Sequence, residues 1–198
     1  MMILRYSAAS PYARKILIAA DLLGLSKMLT LEPANTADPN DSLRKQNPLG
    51  KIPTLILENG RCLYDSRVIV DYFDQLDGQG RLIPKEPFRR IESLRLQALG
   101  DGVNDAALAL RYETTTRPDM LRDAGMIAHQ QEKIDRALSS LNFDLPPMEQ
   151  TIGCISIACA LGYLDLRFEG AWRKNNHHLA DWLSNFECHT PIYASTKP

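Results

Sequence analysis

The order in which strand and helix signals follow one another limits the fold of this chain more than any other feature. Residues 2–6 (MILRY) read as a short strand. Ser10-Pro11 then opens a helix, because serine is a favoured N-cap and proline is tolerated at the first helical position. Ile16, Leu17, Ala20 and Leu23 continue it at helical spacing, and Gly24 is a stop signal. A second strand is expected over 28–33 (MLTLEP) and a polar loop with at most a short helix over 34–48. Asn59-Gly60 separates two apolar runs, Thr54–Leu57 and Arg61–Leu63, which is a strong hairpin signal. Ile69, Tyr72, Phe73 and Leu76 carry the next helix. A β-α-β-β-β-α order of this kind makes a small mixed sheet covered by helices.

Beyond residue 77 the pattern changes. Residues 77–87 are rich in Gly and Pro and read as a linker. After it no strand signal recurs. Ile91, Leu94, Ala98, Val103, Ala106 and Leu110 mark a long helix, and Arg117-Pro118 is expected to start another. Pro146-Pro147 interrupts, a strongly apolar helix runs from Ile152 to Leu166, and 178–186 reads as a last helix before an irregular tail after Pro191. The expected fold class is therefore α/β followed by all-α, with one domain over 1–77 and a helical one over 87–198. Neither half buries much surface alone, so the two are expected to share an interface.

Charge and cysteine usage narrow the function classes. With 23 basic and 24 acidic residues the net charge is −1, so no global field would draw nucleic acid or an anionic membrane. No apolar run approaches the roughly 18–20 residues of a membrane span. The N-terminus lacks the pattern of a signal peptide, and a cytoplasmic location is expected. Cys62, Cys154, Cys159 and Cys188 form no CxxC and no zinc spacing, so no metal is expected and the thiols read as buried and reduced. The adjacent His177 and His178 do not share a helix face and read as surface residues.

Three short segments could carry chemistry. Ser10 at a helix N-terminus could be a simple N-cap, or its hydroxyl could donate to a thiolate favoured by the helix amides. Asn47–Thr54 (NPLGKIPT) places Pro53 just before a strand. It is either an ordinary loop or a cis-proline turn that leaves the backbone of Ile52 open to an extended peptide. Asp65-Ser66 opens a helix, where either residue could cap it. Together with the N-terminal amides the pair could also hold an α-amino acid head, carboxylate on Ser66 and ammonium on Asp65.

The segments SPYARK (10–15), NPLGKIPTL (47–55) and YDSRVIVDY (64–72), followed by SIACALGYLDLR (156–167), resemble the glutathione S-transferase family over almost the whole chain. The match looks closest to its bacterial YibF-like branch. The resemblance implies a thioredoxin-like N-terminal domain, a helical-bundle C-terminal domain and a homodimer. It also implies glutathione as co-substrate, with no cofactor besides, and conjugation of its thiol to a small hydrophobic electrophile. Ser10 matches the thiol-activating serine, Ile52 the residue whose backbone pairs with the cysteinyl part of glutathione, and Pro53 the cis-proline. Asp65 and Ser66 match the pair that holds the γ-glutamyl end. Reduction of peroxides or mixed disulfides by glutathione, and a non-catalytic regulatory module, are the alternatives. The absence of cysteine at positions 10 and 13 argues against dithiol exchange.

The chain also departs from the family. Thr151 is followed three residues on by Cys154 where many members place an aspartate that completes a capping box. Ala8 and Ala9 leave Ser7 as the one fallback hydroxyl near Ser10. Asp101 and Asp105 share a helix face, either as a solvated or interface carboxylate pair or as the acidic group that relatives place near the dimer cleft. Arg111 and Tyr112 are positioned to line an electrophile pocket.

Overall fold

Strand β1 (Met2–Tyr6) alternates its faces, and the alternation sets the first layer of the core. Leu4 is fully buried, and Arg5 projects from the opposite face into a polar anchor. In this computed structural model, which describes all 198 residues, β1 leads into helix α1 (Pro11–Leu22), capped by Ser10. Gly24, at φ +73°, takes the left-handed turn past the end of α1, where a side chain would be strained. Strand β2 (Leu29–Pro33) returns parallel to β1. A loop and the single turn α2 (Leu43–Gln46) then lead to β3 (Thr54–Ile56) and β4 (Cys62–Leu63). Both join antiparallel, in the sheet order β2-β1-β3-β4. Helix α3 (Ser66–Asp77) packs beside α1, burying Ile69, Val70 and Phe73.

Arg5 holds the connection between β2 and β3. Its guanidinium reaches the Asp41 carboxylate at 2.8 Å, Ser42 Oγ at 2.8 Å and Gln46 Oε1 at 2.5 Å. Asp41 in turn accepts from the amides of Leu43 and Asn35, which with Arg5 hold its carboxyl below the usual range. The polar loop is thus an ordered strap across one end of the sheet.

The 77–87 linker is packed between the halves rather than loose. Leu82 and Ile83 are buried, and their amides donate to the buried Asp74 of α3. The Leu82 carbonyl accepts from Ile152 at the start of the central helix of the second half.

That second half is entirely helical: α4 (Pro87–Thr115), α5 (Ala124–Phe143), α6 (Ile152–Phe168), α7 (His177–His189) and α8 (Pro191–Ser195). Two expectations need correction. The helix expected from Arg117-Pro118 starts at Ala124, where the Asp123 carboxylate accepts from the amides of Gly125 and Met126. Pro118 instead precedes a short 3₁₀ turn over Asp119–Leu121. The tail after Pro191 is not irregular: it forms α8, anchored by the buried Tyr193. The sequence carried no sign of this because the anchor is tertiary. Arg14 of α1 donates to the Tyr193 carbonyl at 2.6 Å and lies 3.8 Å from the ring centroid, while the Tyr193 hydroxyl donates to Ala158 of α6 at 2.9 Å.

α6 is buried along almost its whole length, with neighbours on several faces. Its first turn lacks a capping box: Thr151 donates to the Cys154 sulfur at 3.5 Å, and the Cys154 thiol donates to the Pro147 carbonyl at 3.2 Å. Burial raises the pKa of both interior thiols, that of Cys159 to about 11. All four cysteines are free, but Cys62 is half-buried and Cys188 exposed, so buried thiols describe only two of them. His177 and His178 are exposed. No helix is long and apolar enough to cross a membrane.

α4 and α6 touch backbone to backbone. A Cβ on Gly153 would stand 2.6 Å from the Ser93 carbonyl oxygen, and one on Gly100 would stand 2.7 Å from the Ser156 carbonyl carbon. Gly153→Ala should therefore cost about 1–3 kcal/mol by forcing the helices apart. Gly102→Ala on the same helix α4, where a Cβ meets nothing within 4 Å, should instead gain about 0.5–1 kcal/mol in helix propensity. Urea unfolding midpoints of the two variants test the contrast.

Candidate functional site

One end of the sheet gathers the three segments. Arg5 pairs with Thr54, and Leu55 with Leu63. Continuing both registers past the last paired residues sets Ile52-Pro53 beside Tyr6-Ser7 and Asp65 beside Pro53. The N-termini of α1 and α3 leave from that same end, because Ser10 follows β1 and Asp65 follows β4.

Ser10 caps α1: its hydroxyl oxygen accepts from the Ala13 amide at 3.2 Å, and its own amide donates to the Ser7 carbonyl at 3.0 Å. The cap uses the oxygen as acceptor, which leaves the hydroxyl hydrogen to donate outward. An acceptor bond from a helix amide polarises the hydroxyl and strengthens it as a donor. Ser7 sits at the mouth of the same turn, half-buried.

The Ile52–Pro53 peptide is cis, as is Tyr64–Asp65. Pro53 is buried and Ile52 half-buried. Neither the amide nor the carbonyl of Ile52 enters a backbone hydrogen bond, since the ladder to β1 begins at Thr54. Around it the loop is stiffened by Asn47, which is buried and donates to Lys51 O at 2.9 Å and to Thr54 Oγ1 at 3.2 Å. The chain therefore offers one donor and one acceptor, in an extended segment, to a strand-like ligand.

Asp65 is the N-cap of α3, accepting from Arg67 N at 3.0 Å. Ser66 begins the helix and is buried, and its hydroxyl takes no partner from the chain. Asp65 caps with one oxygen and remains exposed.

A buried ion pair underlies these helix ends. The Lys15 ammonium of α1 and the Asp101 carboxylate of α4, exposed by only 1% and 2%, meet at 2.7 Å. The other Asp101 oxygen accepts from Arg67 Nε of α3 at 3.0 Å, and that contact raises the arginine's pKa. Asp101 is thus neither solvated nor paired with Asp105, contrary to one sequence expectation. A carboxylate so deep is tolerated because two cations face it. Asp105 is exposed and accepts from the Tyr12 hydroxyl. Burial, then this bond to Asp105, raises the Tyr12 pKa far above the ordinary phenol value.

Between the Ala8–Ser10 turn and α6 lies a narrow cleft, walled by Ala9, Ser10, Tyr163 and Leu166 with Arg14 and Cys159 at its base. Arg111 is half-buried and Tyr112 exposed, one turn from the end of α4, and neither lines this cleft. The sequence reading did not single out Lys15, Arg14, Tyr163 or Arg167. A lysine on the apolar face of α1 was the one available signal; the others depend on how α6 meets the sheet domain.

Known proteins resemble this chain in sequence and fold. A family model described as the glutathione S-transferase N-terminal domain matches residues 4–81. The chain is 32% identical over 187 residues to a protein of Escherichia coli K12 named an uncharacterized GST-like protein, YibF, covering 90% of each chain. A crystal structure of a glutathione transferase family member from Pseudomonas fluorescens Pf-5, with bound glutathione, superposes with a TM-score of 0.92 at 37% identity, covering 100% of this chain and 99% of that one. A second structure of a family member from the same organism holds S-(propanoic acid)-glutathione and gives a TM-score of 0.88 at 36% identity, covering 100% of both chains.

Replacing Asp101 by Asn would leave the Lys15 ammonium buried opposite a neutral amide. Loss of one partner from a buried pair costs about 3–5 kcal/mol. The exposed Asp105→Asn change should cost about 1 kcal/mol or less. Parallel urea denaturation of the two variants checks the difference.

Proposed function

As the chain belongs to the glutathione S-transferase family, we propose that it binds glutathione at the end of its sheet, lowers the pKa of the thiol and conjugates the thiolate to a small hydrophobic electrophile. The observation that carries this reading is the unpaired backbone of Ile52, set between the Ser10 hydroxyl and the Asp65-Ser66 helix start. A tripeptide with an extended cysteinyl centre and an amino acid head fits that order of groups. The Ile52 amide and carbonyl pair with the cysteinyl residue, and Pro53 holds that segment at the site. The Ser66 hydroxyl and the first amides of α3 take the γ-glutamyl carboxylate, and Asp65 takes its ammonium. Structural neighbours with bound glutathione support the assignment. On this reading residues 1–77 form the glutathione domain and 87–198 the helical domain that walls the electrophile site.

Ser10 then acts on the sulfur. Free glutathione's thiol has a pKa near that of cysteine, about 8.5, and lowering it by two units requires about 2.7 kcal/mol. One polarised hydroxyl donor and the partial positive charge of the α1 N-terminus are of that size. The attacking thiolate forms a carbon–sulfur bond while the electrophile's leaving group departs or its π bond opens. Bound in line, the two reactants gain the orientation that free encounter lacks. The conjugate held by the Pseudomonas fluorescens protein is a thioether, the bond type expected here. Cys159, at the base of the cleft, has its thiol held near a pKa of about 11 and protonated, so it makes a poor second thiol for disulfide exchange.

A homodimer is part of the proposal. Phe88 and Ile91 on the first turns of α4 are 74% and 62% exposed, with Val68 of α3 and Leu49 of the β3 approach also open. Isolated apolar side chains are ordinary, but this set spans both halves of the chain on the elements that flank the site. Ile91→Glu should shift the protein from dimer to monomer in sedimentation velocity.

Ser10→Ala should retain glutathione binding by calorimetry while the bound thiol's pKa, read from thiolate absorbance, returns towards that of free glutathione. Losing the hydroxyl while the helix N-terminus remains removes part of that stabilisation, about 1.4 kcal/mol for one pKa unit, and would lower kcat/KM about tenfold. An unchanged thiol pKa would remove Ser10 from the chemistry, and no binding at millimolar glutathione would remove the whole reading.

A further inference from the structure

Helix α1 carries two adjacent buried cations, and only one of them has a counter-charge. Lys15 meets Asp101 at 2.7 Å. Arg14, 4% exposed, forms bonds only to neutral groups. Its Nη2 donates to the Tyr193 carbonyl at 2.6 Å and its Nε to Thr196 Oγ1 at 3.3 Å, with the Tyr193 ring against the guanidinium. Nη1 takes no acceptor from the chain. The acids on the surrounding elements are held by other cations. Asp101 of α4 faces Lys15 and Arg67, Asp165 of α6 pairs with Arg173, and Glu187 of α7 pairs with Lys197. A buried cation with no anion beside it is unfavourable until one arrives.

The fold makes room for this charge next to Ser10. Arg14 lies one helical turn beyond the cap, its amide donating to the Ser10 carbonyl at 2.9 Å. A Cβ on Gly162 of α6 would stand 2.5 Å from Arg14 Nη1 and 2.6 Å from the Tyr193 hydroxyl oxygen, so a glycine there is what lets the guanidinium in. Ser10, Arg14 and Gly162 all line one narrow cleft with space for about one water. Little water between apolar walls means weak screening, so a charge acts across such a cleft without touching its target. The titratable groups in the walls are Tyr163, whose ring centroid is 5.8 Å from the Arg167 guanidinium carbon, and Cys159. Burial raises the Cys159 pKa to about 11, and Arg14 is the first charge that acts against the rise.

We propose that the missing counter-charge of Arg14 is the thiolate of bound glutathione, so that this buried guanidinium favours ionisation of the sulfur held at Ser10. The inference rests on the glutathione reading above and adds a second residue to its chemistry. Ser10 donates to the sulfur directly, and Arg14 acts from the base of the cleft through its charge. The thiol proton passes to solvent on ionisation, and the anion left behind faces the hydroxyl, the first amides of α1 and the guanidinium together. Lys15, the neighbouring cation, cannot serve in the same way because Asp101 neutralises it.

Two thiols test this. The first is glutathione itself, bound to the wild-type protein, to R14Q and to R14K, with the thiol pKa read from thiolate absorbance. R14Q keeps a donor for the Tyr193 carbonyl and loses the charge, and the bound-thiol pKa should rise by about one pH unit. R14K restores the charge and should bring the pKa back down. Tyr193→Phe loses the bond to Ala158 and keeps the charge, so it should lower the melting temperature and leave the thiol pKa in place. The second thiol is the one introduced by S10C, whose alkylation by iodoacetamide, followed against pH by mass spectrometry of its peptide, needs no glutathione. Its pKa should be about one pH unit higher in S10C/R14Q than in S10C. The wild-type protein supplies a readout that survives misfolding of any variant. With glutathione bound, the side-chain nitrogen resonances of Arg14 should titrate with the thiol, and with S-methylglutathione bound they should not. Unchanged thiol pKa values in folded R14Q and S10C/R14Q would overturn this inference and leave the glutathione reading standing. An equal rise in R14Q and R14K would overturn the role of charge, as would Arg14 resonances that ignore the thiol's ionisation. A wild-type protein that fails to bind glutathione, with the S10C difference intact, would overturn the glutathione reading and keep Arg14 as a thiolate-stabilising charge.

Discussion

Asp101 joins what would otherwise be separate parts of the site. One of its oxygens holds Lys15 of α1 and the other holds Arg67 of α3, while its own backbone belongs to α4 of the helical half. The two helices so held are the ones whose first residues are Ser10 and Asp65-Ser66. Their separation sets the distance between a hydroxyl on one and an amide cluster on the other, the two ends of the proposed tripeptide site. A charge pair that deep is costly in isolation, and its net contribution to stability is often small. Its value here is positional, because the buried Lys15 would be left an unpaired charge without Asp101, whereas Arg67 is half exposed.

The apolar contacts work in the same direction. α6 runs through the second half with backbone packed directly on α4. Tyr193 and Arg14 clamp the last helix between α6 and α1. The joint at Leu82 and Ile83 is tied by Asp74 to α3 and by a backbone bond to Ile152. The two halves thus meet along α1, the joint and α6, and the cleft beside Ser10 is shaped by both. The Arg5–Asp41 strap and the Asn47 loop tie polar groups of the framework to one another, while Arg5 Nε, Gln97 Nε2, Asn104 Oδ1 and Ser156 Oγ are buried without a hydrogen-bond partner. At the sheet end, Ile52 and Ser66 keep donors and acceptors that the chain does not use.

Much of the fold was legible in order and spacing. The short apolar run of β1, Asn-Gly between apolar runs and Ser-Pro at a helix start each follow from local backbone chemistry. The signals failed where a local feature had a tertiary partner. Arg117-Pro118 looks like a helix start, but Asp123 is the better cap, since its carboxylate reaches two amides. The segment after Pro191 looks irregular because five residues make a weak helix alone, and only Tyr193 buried against Arg14 holds it. The 77–87 stretch has the composition of a linker, yet two of its apolar residues are core.

For the proposed site, Ser10, Ile52, Pro53, Asp65 and Ser66 could be named from the sequence because each sits at a chain-local event: a cap, a turn or a helix start. Their convergence needed strand register, which places residues far apart in sequence at one sheet end. Asp101 could not be read at all as a partner of Lys15 and Arg67, because nothing local distinguishes a carboxylate facing water from one facing two cations. The sequence by itself determined which backbone groups would be left open, since caps and prolines act on their immediate neighbours. The tertiary structure alone decided which charges would be paired and which left for a ligand, because pairing depends on distance between elements and not along the chain.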